Sequence, residues 1–235
     1  MIIQVIIFSL IAGITVLIGG SLAWVFDNHI EDTPFKPKLI HGMMSFGGGV
    51  LISAVALVLV PEGMDELGLW VMIGCFGGGA ILFRLIDELL QRKGGQMGML
   101  LAMLMDFIPE SIALGAVFAG DMNTAILLAV FIGLQNLPEA FNSFREMVLS
   151  GFSAKNTLFI FVALSFSGVG GALLGFFFLS GYPTATAALM SFASGGILYL
   201  LVHDIIPESK LENSFDTSLG AVLGFALGIA GTMLV

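Results

Sequence analysis

Residues 47–62 read GGGVLISAVALVLVPE, and residues 193–208 read ASGGILYLLVHDIIPE. Both are apolar runs closed by Pro-Glu. Each belongs to a stretch long enough to cross the hydrocarbon core of a bilayer, which takes about 20 residues. The first lies in the second apolar stretch of the chain and the second in the seventh, so a chain that threads back and forth carries them in opposite senses. Two related helices of opposite sense are the mark of an inverted repeat, here helices 1–3 against helices 6–8.

Comparable apolar runs fill the chain, near residues 3–25, 41–61, 67–89, 97–119, 123–145, 156–179, 184–206 and 217–235. With 57% hydrophobic and 11% charged residues, the composition lies far from that of a soluble domain. The expected fold is an all-α polytopic membrane protein of eight helices in a 3+2+3 arrangement, forming one domain over 1–235. The N-terminal run has no basic segment before it, so it reads as the first helix rather than a cleaved signal peptide. Cys75 is the one cysteine, which leaves no thiolate cluster or disulfide framework. Glycines at 47–49, 77–79, 168–175, 220, 224 and 228 are spaced to let helix backbones approach closely.

The eight basic residues fix the orientation. Lys36 and Lys38 follow helix 1, and Arg84, Arg92 and Lys93 belong to the end of helix 3. Arg145 and Lys155 flank the end of helix 5, and Lys210 follows helix 7. The positive-inside rule puts these connections in the cytoplasm and both termini outside. Glu62, Asp65, Glu66 and Asp121 fall on the outer side, where acids concentrate cations.

Helix 4 carries Asp106-Phe-Ile-Pro109-Glu110-Ser111, and helix 5 carries Gln135-Asn-Leu-Pro138-Glu139-Ala140. Asp106 with Glu110, and Gln135 with Glu139, are four apart and share a helical face. Each proline lacks an N–H and crowds the carbonyl four residues back, that of Met105 or Leu134, which gives the pair of helices loosened oxygens at membrane depth. Acids near a helix centre are expensive, at roughly 2.5–3.5 kcal/mol each on insertion scales, and no Lys or Arg lies at the depth of these three. Carboxylates, an amide and carbonyl oxygens are cation ligands, with protons leaving as a divalent ion binds. Asn142 and Glu146 continue the polar face toward the cytoplasm, with Asn136 at the edge of the site. His203 and Asp204, before Pro207-Glu208, are candidates for an exit gate. His29 with Asp27, Glu31 and Asp32 reads as a solvated stretch or a collecting point for emerging metal, and His41 as an interfacial anchor. Met97, Met99, Met103 and Met105 read as flexible apolar packing.

These motifs resemble the ZIP (Zrt/Irt-like) family of divalent metal transporters. HGMMSFGGGVLISAVALVLVPEG in helix 2, DFIPESIALG in helix 4, QNLPEAF in helix 5 and ASGGILYLLVHDIIPES in helix 7 carry the likeness along essentially the whole chain. It implies eight helices with both termini outside and a metal site on Asp106, Glu110, Gln135 and Glu139. In that family helix 4 usually reads His-Asn-x-Pro-Glu and two metals often share the glutamates. Here Asp106 stands in the histidine position and Phe107 in the asparagine position. Asn136 replaces an often acidic residue, helix 6 has no acid, and the long His-rich loop between helices 3 and 4 is reduced to QRKGGQ. A single reduced site is the expectation.

The expected function is therefore import of a divalent transition metal of the Zn, Mn or Fe class into the cytoplasm, with Cd as a surrogate and no cofactor. In this scheme the repeat-derived bundles rock against helices 4 and 5. Oxygen-only ligands favour harder ions such as Mn²⁺, while imidazole suits Zn²⁺. The alternatives are a cation or proton pathway and a metal-binding relative with lost or altered transport. No His-Glu-x-x-His or Gly-x-Ser-x-Gly occurs, so an enzyme is not expected. The expected setting is the cell (cytoplasmic or inner) membrane, crossed many times. The expected partners are the metal ion and the lipid bilayer, with no nucleic acid; the small-residue faces leave a homodimer open.

Overall fold

The computed structural model describes residues 1–29, 33–93, 97–118, 120–211 and 216–234, without the side chains of 91–93, 97–100, 102 and 216. The readings placed on Glu31 and Asp32, on residues 94–96 of the QRKGGQ stretch, and on the side chains of 91–93, Met97 and Met99 lie outside the described residues. Eight helices cross in sequence. They are α1 (Ile2–His29), α2 (Phe35–Glu66), α3 (Leu69–Lys93), α4 (Met97–Val117), α5 (Met122–Leu149), α6 (Ala154–Phe178), α7 (Pro183–Ser209) and α8 (Asp216–Leu234). Among the described residues, α1–α3 and α5–α8 are long and apolar enough to cross a membrane by length and composition alone. The 21 residues of α4 make a rod of about 31 Å, matched to the hydrocarbon thickness. Short connections make each helix antiparallel to the next.

The helix ends follow local chemistry. α2 begins at Phe35, six residues before the apolar run suggests, because Pro34 and Pro37 sit where the first turn has no amide partner to lose. Asp121 caps α5. Its Oδ1 accepts the amides of Asn123 (3.0 Å) and Thr124 (3.2 Å), and its Oδ2 accepts the Thr124 hydroxyl at 2.6 Å. Those bonds, the Thr124 hydroxyl first, hold its carboxyl below the ordinary value. An acid read as part of a cation-attracting mouth is thus engaged in starting a helix.

The repeat is visible in the backbone. In α2 the Val60 amide reaches back five residues to the Val55 carbonyl, and in α7 the Ile206 amide does the same to Leu201. Each widened turn lies just before a proline, Pro61 or Pro207. The proline withholds the N–H its helix would need, and the wider turn relieves the ring's crowding.

Helix packing obeys the same relation. α2 packs on α8 and α3 on α7; α1 packs on α5 and α4 on α6; α2 meets α5 where α4 meets α7. Exchanging 1 with 6, 2 with 7, 3 with 8 and 4 with 5 converts each contact into its partner. Glycines mark the equivalent points. A side chain on Gly49 of α2 would overlap the Ala221 carbonyl of α8, and one on Gly195 of α7 would overlap the Phe76 carbonyl of α3. In return, Gly224 of α8 meets the Phe46 carbonyl and Gly79 of α3 that of Phe192. Removing the side chain lets the backbones touch, which is how helices associate where lipid supplies no hydrophobic drive.

The helices divide into two bundles, α1, α4, α5 and α6 in one and α2, α3, α7 and α8 in the other, touching along α2 with α5 and α4 with α7. This grouping places helices 4 and 5 with α1 and α6 rather than as a separate pair between helices 1–3 and 6–8. Small residues announce close packing but do not name the partner. At the cytoplasmic end as oriented by the basic residues, Asp27 of α1 bonds Arg145 Nε of α5 at 2.8 Å and lies 3.5 Å from Lys36 Nζ of α2. That ties α2 to the other bundle.

Candidate metal centre

The polar groups of α4 and α5 converge where the two helices face each other. Asp106, Glu110, Gln135 and Asn136 are each no more than 3% exposed, and Glu139 is part-buried. Both helices stay helical through Pro109 and Pro138, and the four-residue spacing stacks each pair on the shared face. Gly47 of α2 lies against the ring of Pro138, which brings the second bundle directly onto the site.

Gln135 Nε2 donates to Glu110 Oε2 at 2.6 Å. That bond fixes the amide so that Gln135 Oε1 is turned away from it. Glu110 Oε1 and Gln135 Oε1 are both buried without a hydrogen-bond partner. The Asp106 and Glu139 carboxyl groups lie close enough to share a hydrogen bond when one of them is protonated. Asp106 Oδ1 also accepts the Phe107 amide at 2.7 Å. Among the described residues, no Lys or Arg is paired with Asp106, Glu110 or Glu139.

Leaving buried oxygens unpaired is costly, about 1–3 kcal/mol for each group and more for a charged one. A cation ligated by them removes that penalty. The donor set is all oxygen, three carboxyl groups and an amide, with charge enough to balance one divalent ion. Asn136 presents an unpartnered amide nitrogen rather than an oxygen, so it stands beside this set. Phe107, next to Asp106, aims its ring at α6, where Gly168 leaves room for it.

A row of polar groups continues from the centre toward the end of the bundle that carries Lys36 and Arg145. Asn142 Nδ2 donates to Glu146 Oε1 at 2.7 Å. Asp204 of α7 lies with Asp87 and His203, their ligand atoms all within 4.8 Å of one another, and Glu146 and Glu208 are near enough for their charges to act on Asp204 and on each other. His203 Nε2 stands 3.4 Å from Asp87 Oδ2 and 3.9 Å from Asp204 Oδ1. Tyr199 donates its hydroxyl to Asp87 at 2.9 Å and stacks on the His203 ring. Asp87 was missed in the sequence because an acid one turn from Arg84 and beside Glu88 resembles an ordinary helix end. The usable signal was the spacing of Tyr199, His203 and Asp204, whose shared face needs a polar partner on a neighbouring helix.

The other histidines serve the fold. His41 Nδ1 reaches the Glu208 carbonyl at 2.8 Å, pinning α2 to the end of α7, and His29 Nδ1 bonds the Val25 carbonyl one turn back. Asp27 turns to Lys36 and Arg145. Met103 is buried in the core between the helices, as apolar packing requires.

The model of the ZIP Zinc transporter family matches residues 86–235. The chain is 26% identical to Zinc transporter ZIPB of Bordetella bronchiseptica over 211 residues, 79% of this chain and 68% of that protein. It is 26% identical to Zinc transporter ZIP13 of Pongo abelii, covering 82% of this chain and 65% of the relative. With Zinc transporter GufA of Myxococcus xanthus it shares 32% identity, over 55% of this chain and 52% of the relative. The chain thus spans between about half and two thirds of these proteins' lengths. A family match over more than half of the chain, joined to an eight-helix membrane fold, makes this chain a member of the ZIP family of membrane metal transporters, which are not enzymes.

Proposed function

We propose that this chain carries one divalent transition-metal ion at a time from outside to the cytoplasm through a single centre formed by Asp106, Glu110, Gln135 and Glu139. The supporting observation is the pair of buried, unpartnered oxygens, Glu110 Oε1 and Gln135 Oε1, beside the neighbouring Asp106 and Glu139 carboxyls. Binding sets the carboxyl oxygens on the metal and releases the proton that the acid pair shares. Asn142, Glu146, Asp204, His203 and Asp87 then offer ligands in succession toward the cytoplasm, the side marked by the basic residues. Since α4 and α5 pack with α1 and α6, motion between the two bundles carries the centre as a unit. The membrane is the cell membrane in this reading, and a second copy of the chain is not required by the site.

The relatives' names say zinc, whereas oxygen donors without imidazole at the centre suit Mn²⁺ and its harder neighbours. Influx into dye-loaded proteoliposomes across Mn²⁺, Zn²⁺, Fe²⁺, Cd²⁺, Co²⁺ and Mg²⁺ tests this, with Glu139→Gln as control. Selective influx abolished by Glu139→Gln is expected. Influx indifferent to metal identity would replace the carrier with a general cation or proton pathway. Metal binding without influx by folded protein would make this a relative that has lost transport.

A further inference from the structure

Between α2, α5 and α8 runs a trough of about 490 Å³, open on one side and walled by Leu39, Phe46, Leu134, Pro138 and Leu223, with Lys38 as its one charged residue. Its volume lies within the usual range for small-molecule sites, about 300–1,000 Å³. Lys38, Gly42 and Phe46 are four apart on α2 and line one face, with about 12 Å of helix axis from the first to the last. A side chain at Gly42 would meet nothing within 4 Å, so the trough stays open there, while Gly220 holds α8 directly against α2 beside it. α2 has 32 residues, about 48 Å of helix, which exceeds the hydrocarbon core and leaves its Phe35–Lys38 end at the interface. Lys38 is exposed, and no described acid is paired with it.

We infer that this trough binds an anionic glycerophospholipid, its phosphate on Lys38 and one acyl chain laid along Gly42 and Phe46 to Leu134 and Pro138. A cation at the interface above an apolar channel running inward matches one molecule with both chemistries. The same end of the bundle carries Lys36, Arg145 and Lys210, the charge pattern of the leaflet rich in anionic lipid. The chain's far end would rest on the outer side of Pro138, whose ring touches Gly47 where the two bundles meet. The lipid therefore occupies a seam between bundles, and it does so whether or not the proposed metal reading holds.

The test is intact-complex mass spectrometry of the purified chain in detergent with palmitoyl-oleoyl phosphatidylglycerol, or phosphatidylcholine of the same chains. The variants are Lys38→Gln and Gly42→Leu, each checked for an unchanged thermal midpoint without added lipid. Preferential retention of phosphatidylglycerol is expected. Lys38→Gln should reduce that preference about five-fold, the effect of one interfacial basic residue, and Gly42→Leu should lower retention of both lipids. Equal retention of the two lipids by the native chain, unaltered by either variant, would overturn the proposal. So would efficient cross-linking of Leu39→Cys between two copies, which would put a second chain on the trough.

Discussion

Phe107 of α4 lays its ring on Gly168 of α6, so closely that a Cβ at position 168 would overlap the ring's Cζ and stand 3.0 Å from Cε1. Phe107 is buried at 3% exposure in the core that joins α4 to its neighbours. An apolar ring thus occupies the helix 4 position beside Asp106, and α6 carries no acid. Gly168→Leu should destabilise the chain by at least about 2 kcal/mol through overpacking. Phe107→Ala should cost about 3–5 kcal/mol through the cavity it leaves. Together the two should cost less than their sum, because the new side chain enters the space the ring vacates. Thermal unfolding of the four proteins in detergent measures the coupling, and strict additivity would mean that the ring and glycine do not depend on each other.

The bond from Gln135 to Glu110 orients both donors. Gln135→Leu removes it and leaves Glu110 Oε2 buried alone, so metal affinity should fall about ten-fold or more while the fold survives. Gln135→Glu keeps an oxygen but substitutes an acceptor for the donor, forcing a further proton into the centre. Its affinity should therefore fall more steeply on acidification than that of the native chain. Calorimetric titration with Mn²⁺ at two pH values separates these outcomes.

Much of this architecture was legible because lipid makes polarity conspicuous. Asp106, Glu110 and Glu139 stand out at membrane depth, and the Pro61 and Pro207 motifs announced a repeat that the matched wide turns then display. Partner choice was not legible. Gly49 and Gly195 signal that something comes close, but only the three-dimensional packing names α8 and α3. Asp87 escaped for a different reason: its partners Tyr199 and His203 are more than a hundred residues away, and interfacial acids are commonplace. Asp121 was readable as a cap from its place before Met122, yet its charge suggested attraction of cations.

That cap gives a pH signature. The Asp121 carboxyl titrates below its unfolded value of about 3.9, so its stabilisation is complete above that value and fades as pH falls through the folded one. Asp121→Ala should lose about 1 kcal/mol at neutral pH. Asp121→Asn keeps an accepting oxygen without the charge, so its stability should converge with that of the native chain as pH drops toward 3. Unfolding midpoints of the three proteins between pH 3 and pH 7 check this; a gap that stays constant with pH would remove the carboxylate from the explanation.

Equivalent glycines should fail alike. Gly49→Leu drives a side chain into the Ala221 carbonyl, and Gly195→Leu into that of Phe76. Each should prevent a helix pair from closing and lower the yield of folded protein sharply. Gly74→Leu adds the same apolar volume where nothing lies within 4 Å and should be silent. Size-exclusion profiles of the three variants give the comparison.

Asp106 is the residue through which metal preference should be tuned. In the proposed centre it supplies an oxygen to a set that has no nitrogen, and its carboxyl lies beside that of Glu139. Asp106→His replaces a hard donor with imidazole, which binds zinc better than it binds manganese. It also removes one negative charge, leaving Glu110 and Glu139 to balance the ion. The ratio of Zn²⁺ to Mn²⁺ influx in proteoliposomes should rise about ten-fold, corresponding to roughly 1.4 kcal/mol of altered preference. A ratio unchanged in a folded, active variant would mean that Asp106 does not touch the transported ion, and the centre would then shrink to Glu110, Gln135 and Glu139.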